Sequence, residues 1–297
     1  MPNTINYVTK FLPQILEMYR VGLKSMALFE SNKAIQITGA KDIKIPVLTT
    51  SGLKDHNRSS MDYNSGNYSD NFITKQLDHD RDVEFFIDPM DVDETNLILK
   101  LANITSTFEK DHAIPELDCY TFSKLFSVAP EGTKINTVPT EENILDLLDA
   151  DIEAMSEAGV PLERVKLYIT PAMNRVLKNA QGITRTINLQ NNSGVIDRKV
   201  RRIDDIQEII EVPSTRLKTL YDFTDGCVAS DTAKQINYIL VDPECQVSRV
   251  KHAYMQSFAP NSDSRVKDKY AYDYRRYNGT FGLDGKIEHG LRINVEA

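Results

Sequence analysis

The segment LDHDRDVEFFIDPMDVDETNLILKLANITSTFEKDHAIPELDCYTFSKLF (77–126) changes its hydrophobic period midway, and that change decides the fold. From Leu77 to Asp88 the residues alternate. Asp78, Asp80, Asp82 and Glu84 fall on one face and Val83, Phe85 and Ile87 on the other, with His79 and Arg81 further out. A period of two marks a strand with one face in water. After Pro89 the pattern becomes helical. Asp91, Asp93 and Glu94 gather where negative charge stabilises a helix N-terminus, and Leu97, Leu101, Ile104 and Phe108 follow at helical spacing. Pro115 interrupts or restarts the helix, and Leu117, Phe122, Leu125 and Phe126 continue its apolar face. Taken whole, the helix would span roughly 50 Å at 1.5 Å per residue. A strand arm joined to so long a helix implies a protein built to reach its neighbours.

The chain of 297 residues is long enough for one large domain or two, and 41% hydrophobic with 26% charged residues is ordinary for a globular protein. Its net charge of −8 argues against gripping nucleic acid by counterion release. A protein that encloses DNA without holding it tolerates that charge, and ordinary acidic solubility explains it equally well. Cys119, Cys227 and Cys245 are odd in number and have no close pair in sequence, which disfavours a disulfide framework or zinc cage and fits a reducing cytoplasm. No run approaches the ~18 apolar residues of a membrane span. The charged N-terminal segment is not a signal peptide.

In chain order, residues 1–34 read as an extended lead and an amphipathic helix carrying Leu12, Ile15, Leu16, Tyr19, Leu23 and Met26. Strand-like runs at 34–49, a polar tip at 50–72 and a return strand at 74–88 form one long hairpin, which cannot stand alone in water. Residues 127–137 are a loop. A helix opens at Pro139 and Thr140, shows Ile144, Leu145, Leu148, Ile152 and Met155 on one face, and closes at Gly159. VKLYIT (165–170) is a strand whose Thr170 caps a helix beginning at Pro171. A polar loop (182–194), a basic run (198–205) and the strand-like IQEIIEV follow. INYILVDP (236–243) is the most apolar short run and reads as a central strand. The last fifty residues read as β, with Tyr270, Tyr272 and Tyr274 on one strand face and with turn signals at Asn278-Gly279 and Asp284-Gly285.

No nucleotide-binding glycine loop, nucleophile elbow or H-E-x-x-H pair occurs. The Asp78–Asp82 cluster resembles a metal site only on paper, because a strand turns His79 away from the aspartates. Lys199, Arg201 and Arg202 suit phosphate, or the acidic strand of a neighbouring subunit; a solvated strand face explains them equally well. Cys119 reads as a small core residue. Neither a catalytic residue, a metal ligand nor a cofactor is assigned. The candidate inter-subunit contacts are Asp78, Asp80, Arg81, Asp82, Glu84, Lys199, Arg201 and Arg202.

Five stretches resemble the major capsid protein of tailed double-stranded DNA bacteriophages: AIPELDCYTFSKLF (113–126), VKLYITPAMNRVLKNA (165–180), IIEVPSTRLKTLYDFTDG (209–226), INYILVDPECQVSRVKHAYMQSFAPN (236–261) and YAYDYRRYNGTFGLDGKIEHGLRI (270–293). They occur in that family's order and lie within residues 90–293. The resemblance implies an α+β fold of the Hong Kong phage capsid type. Its parts would be an N-terminal arm (1–34), an extended E-loop hairpin (35–90), a peripheral (P) domain with the spine helix (91–134), an axial (A) domain (135–225) and return strands of both domains (226–297). It further implies pentamers and hexamers of this chain in an icosahedral shell around the genome, in a virion assembled in the bacterial cytoplasm. The E-loop begins within about forty residues of Met1, so either a separate scaffolding protein assists assembly, which an initiator Met1 favours, or this is an already trimmed form; a portal protein is a further expected partner. Two other readings stand beside this one: an encapsulin-like compartment, which the long polar tip disfavours, and a cytoplasmic enzyme, which the lack of motifs disfavours.

Overall fold

The computed structural model describes residues 22–32, 42–56, 63–88, 104–180, 206–262 and 267–296. Its organising strand is β9 (Ile236–Val241), buried at all six positions in the middle of a five-stranded sheet ordered β4-β12-β9-β5-β6. The other members are β4 (Lys134–Ile135), β5 (Lys166–Ile169), β6 (Glu208–Glu211) and β12 (Leu291–Val295). β5 and β12 run antiparallel to β9, while β6 is parallel to β5 and β4 is parallel to β12. An unbroken apolar run suits a strand covered on both faces. On one face Ile239, Val241 and Tyr168 meet Phe122 and Leu125; on the other, Tyr238, Leu240, Leu167 and Ile169 meet Ile144, Leu148, Met155 and Leu177. β4 corrects the expected loop at 127–137.

The helices on the second face follow their sequence signals. One helix (Ile144–Glu157) ends before Gly159, whose φ of +76° continues the chain where other residues would strain. A second (Pro171–Asn179) starts under Thr170, whose Oγ1 accepts from the Met173 N–H at 3.4 Å. The first face is covered by a helical segment over 104–128, roughly 37 Å long. Residues 89–103, where that helix was expected to begin, lie outside the described residues. The segment is interrupted by a π-turn at Glu109–Ala113, in which the Ile114 N–H reaches back to the Glu109 carbonyl, before it continues as Ile114–Val128. Pro115 lacks an N–H and crowds the carbonyl four residues earlier, so the wider turn accommodates it.

A second sheet, β10-β11-β3, packs on the same helical segment. It comprises β3 (His79–Ile87), β10 (Gln246–Phe258) and β11 (Tyr270–Gly282). Tyr272 and Tyr274 share a face with Val83, Phe85 and Met255 and pack on Phe108 and Ala113. This corrects two expectations. β3 pairs with β11, so it is not the return strand of the hairpin. Asn278-Gly279 lies inside β11, where a Cβ on Gly279 would meet Leu77 Cδ2 at 2.6 Å; the glycine admits a close approach and makes no turn. Asp284-Gly285 does turn, with φ +82° at Gly285.

Of the expected N-terminal arm, residues 22–32 are described. Ser25 donates to Asp118 Oδ1 from its N–H at 2.9 Å and its hydroxyl at 2.8 Å, and Arg249 donates to the carbonyls of Phe29 and Ser31. This piece therefore packs on its own subunit. The rest of the arm lies outside the described residues.

Candidate assembly interface

The hairpin is a ribbon of β1 (Asp42–Thr50) and β2 (Tyr68–Gln76), paired without a slip from Asp42↔Gln76 to Thr50↔Tyr68. Each arm is nine residues, roughly 30 Å. Beyond it, Ser51 and Asn67 continue the pairing through Ser51 N–H to the Asn67 carbonyl at 2.8 Å. A two-residue period places Leu48, Tyr68 and Phe72 on one face, and they are 66%, 80% and 62% exposed. Leu53 and Tyr63 are exposed further out, Tyr63 beside the His56 ring. At the base, Lys75 meets Asp284 at 3.5 Å. Such a ribbon is marginal in water, and three large exposed apolar side chains on one face, with Asp70 between Tyr68 and Phe72, make that face a candidate contact surface.

β3 begins two residues past the ribbon. Its exposure alternates as the sequence implies: Asp80, Asp82 and Glu84 face water, while His79, Arg81, Val83 and Phe85 turn inward. Asp80 accepts two hydrogen bonds from Arg275 at 3.0 and 2.6 Å. Glu84 lies opposite Asp273 in the ladder.

The other two described candidates, Asp78 and Arg81, are committed within the chain. Asp78 accepts from Tyr120 Oη and from Lys124 Nζ at 2.5 Å; burial alone would raise its pKa, but those hydrogen bonds and the Lys124 charge hold it below the usual value. Arg81 donates from Nε to Glu116 at 3.0 Å and from its guanidinium to the carbonyls of Phe223 and Gly226. It clamps β3 to the long helix and to the 223–226 turn. His79 stacks on Tyr120 at 4.1 Å and bonds Glu116 at 3.2 Å; burial lowers its pKa despite that carboxylate. A groove of about 440 Å³ opens between these groups and residues 219–223. Lys199, Arg201 and Arg202 lie outside the described residues. Sequence reasoning missed the ribbon's exposed apolar residues, although Tyr68 and Phe72, four apart in a strand and so on one face on either side of Asp70, carry the signal.

Among the described residues no three His, Cys, Asp or Glu groups converge as metal ligands, and no helix is long and apolar enough to cross a membrane.

No protein-family model matches the chain, and no curated protein matches its sequence. Solved structures do. The chain is similar to one from the mature capsid of bacteriophage PhiM1, with TM-score 0.62 and 13% identity, over 87% of this chain and 82% of that one. It is similar to the capsid of the cyanophage P-SCSP1u, with TM-score 0.54 and 11% identity, over 89% and 85%. A virus-like particle from Pyrococcus furiosus matches with TM-score 0.50 and 13% identity, over 99% and 100%. At such identity the shared property is the fold. This chain has the α+β fold of phage capsid chains.

Proposed function

We propose, from a chain that folds as phage capsid chains fold, that this protein is a shell subunit. Copies of it assemble through pentamers and hexamers into an icosahedral shell that encloses double-stranded DNA without reading its sequence. The role is structural and not enzymatic. The observation that carries the reading is the ribbon: nine paired residues per arm, with Leu48, Tyr68 and Phe72 open to water. A neighbouring subunit is the surface that would cover them.

In this reading the ribbon is the E-loop, 104–128 is the described part of the spine helix, and the five-stranded sheet joins the axial domain to the return strands. Asp80, Asp82 and Glu84 form an acidic edge for basic residues of the next subunit, with Lys199, Arg201 and Arg202 as the candidates. Asp78 and Arg81 hold that edge in place from behind. A scaffolding protein and a portal protein are the expected partners, the bacterial cytoplasm the place of assembly, and the virion the destination.

The test is electron microscopy with analytical ultracentrifugation on the purified chain, alone and with a scaffolding protein. Closed shells, or discrete pentamers and hexamers, are expected. A folded monomer that never assembles at high concentration would overturn the reading. Packaged nucleic acid distinguishes a genome shell from an encapsulin-like compartment, in which a cargo protein would be found instead.

A further inference from the structure

The π-turn at Glu109–Ala113 holds a carboxylate that shell assembly does not explain. Glu109 is 0% exposed, and among the described residues neither of its side-chain oxygens has a hydrogen-bond partner. Its neighbours on the turn, Lys110, Asp111 and His112, all face water. From β11 the groups that face it are Arg276, Tyr272 and Tyr274. The Tyr272 hydroxyl is likewise buried without a hydrogen-bond partner among the described residues. Arg276 is held at the far end of the same turn, donating from Nη1 to the Ala113 carbonyl at 2.9 Å and to Tyr274 Oη at 3.1 Å. β3 presents Val83 and Phe85, and β10 presents Met255. An ionised carboxylate with two empty acceptors is strongly disfavoured among such groups.

We propose that Glu109 is a proton-operated latch: protonated, it keeps the π-turn seated against the β3-β10-β11 sheet, and on losing its proton it loosens that turn. The turn is suited to this. Pro115 bars its return to an unbroken α-helix, so opening the bond from the Ile114 N–H to the Glu109 carbonyl lets the Glu109 side chain swing from the sheet towards water. Burial raises its pKa to about 7 against the pull of Arg276. A carboxyl raised from 4.5 in the fold is held tightest at low pH. The latch is therefore fully set below about 4.5, and it releases progressively as the pH rises towards about 7.

The latch belongs to the single subunit and does not depend on assembly. Hydrogen exchange of the unassembled full chain, read by mass spectrometry between pH 5 and 8, tests it. Protection at residues 109–116, corrected for intrinsic exchange, should fall by up to about tenfold per pH unit between about 5 and 7, then level off. In Glu109→Gln it should stay flat across the range. A wild-type profile without that slope, or a variant that keeps it, would overturn the proposal. Should the variant not fold, infrared spectra of wild-type protein with 13C-labelled glutamate give a second reading, separate from Asp151, a buried carboxyl that accepts from Tyr238 Oη and is itself raised to about 6. A labelled protonated-carboxyl band at pH 6 that disappears by pH 8 supports the latch, and its absence at pH 6 overturns it.

Discussion

His79, Glu116 and Arg81 show how one side chain's commitments fix another's charge. Burial would raise the Glu116 pKa, but the His79 hydrogen bond and the Arg81 charge bring it below 4.5. Its share of stability is complete above that value and is lost as the pH falls through the lower folded value. His79 adds to the loss on acidification. Its folded pKa lies below 6.5, so the unfolded chain takes the proton first as the pH drops. His79→Gln should therefore flatten the decline of the melting temperature below about pH 6.5, measured by calorimetry; an unchanged slope would show that the imidazole does not titrate there. Glu109 pulls the other way, so the change in slope carries the result. Gly279 belongs to this scale too. Gly279→Ala drives a methyl towards Leu77 Cδ2 and should cost about 1–3 kcal/mol by denaturant unfolding, part of it recovered in a Leu77→Ala background. Additive costs would mean that Leu77 is not the obstacle. The asparagine-glycine pair read as a turn because that signal is local, whereas the approach of Leu77 from two hundred residues away is not written beside it.

Among the elements, β9 was legible because INYILV admits no solvent face, and the Thr170–Pro171 helix start because its chemistry is local. β3 was legible only by half. A period of two says which side chains are buried but not which strand lies alongside, so β11 could not be told from β2 as its partner. The same limit applies to the candidate contacts. Asp80, Asp82 and Glu84 are exposed as their alternation requires, whereas the inward clamp of Arg81 depends on carbonyls at Phe223 and Gly226. The ribbon yields the sharpest prediction at this scale. Leu48, Tyr68 and Phe72 touch little within their own subunit, so replacing all three by serine should leave the monomer's unfolding free energy within about 0.5 kcal/mol per site. Assembly should nevertheless be lost in sedimentation. A triple variant that assembles normally would show that the stripe is not an interface, and one that unfolds would show that the ribbon packs on its own subunit.

For the whole molecule, two forces would act in opposite directions on the proposed assembly. Each copy carries −8, so bringing many together is opposed by repulsion that salt screens over a Debye length of about 10 Å at 0.1 M. The proposed pairing of the acidic edge with a neighbour's cations would be weakened by the same salt. The ribbon's apolar stripe is insensitive to screening and strengthens slightly in excluded salts such as sulfate. Rim charges mainly set orientation and the rate of encounter, while buried aromatic contacts hold the complex. It follows that the lowest protein concentration giving assemblies, measured by light scattering, should fall when sodium chloride rises from about 0.05 to about 0.5 M, and fall further in sulfate. If that concentration rises with salt, the edge pairs outweigh the stripe. Charge reversal at Asp82 and Glu84, not serine substitution on the ribbon, would then be the change that abolishes assembly.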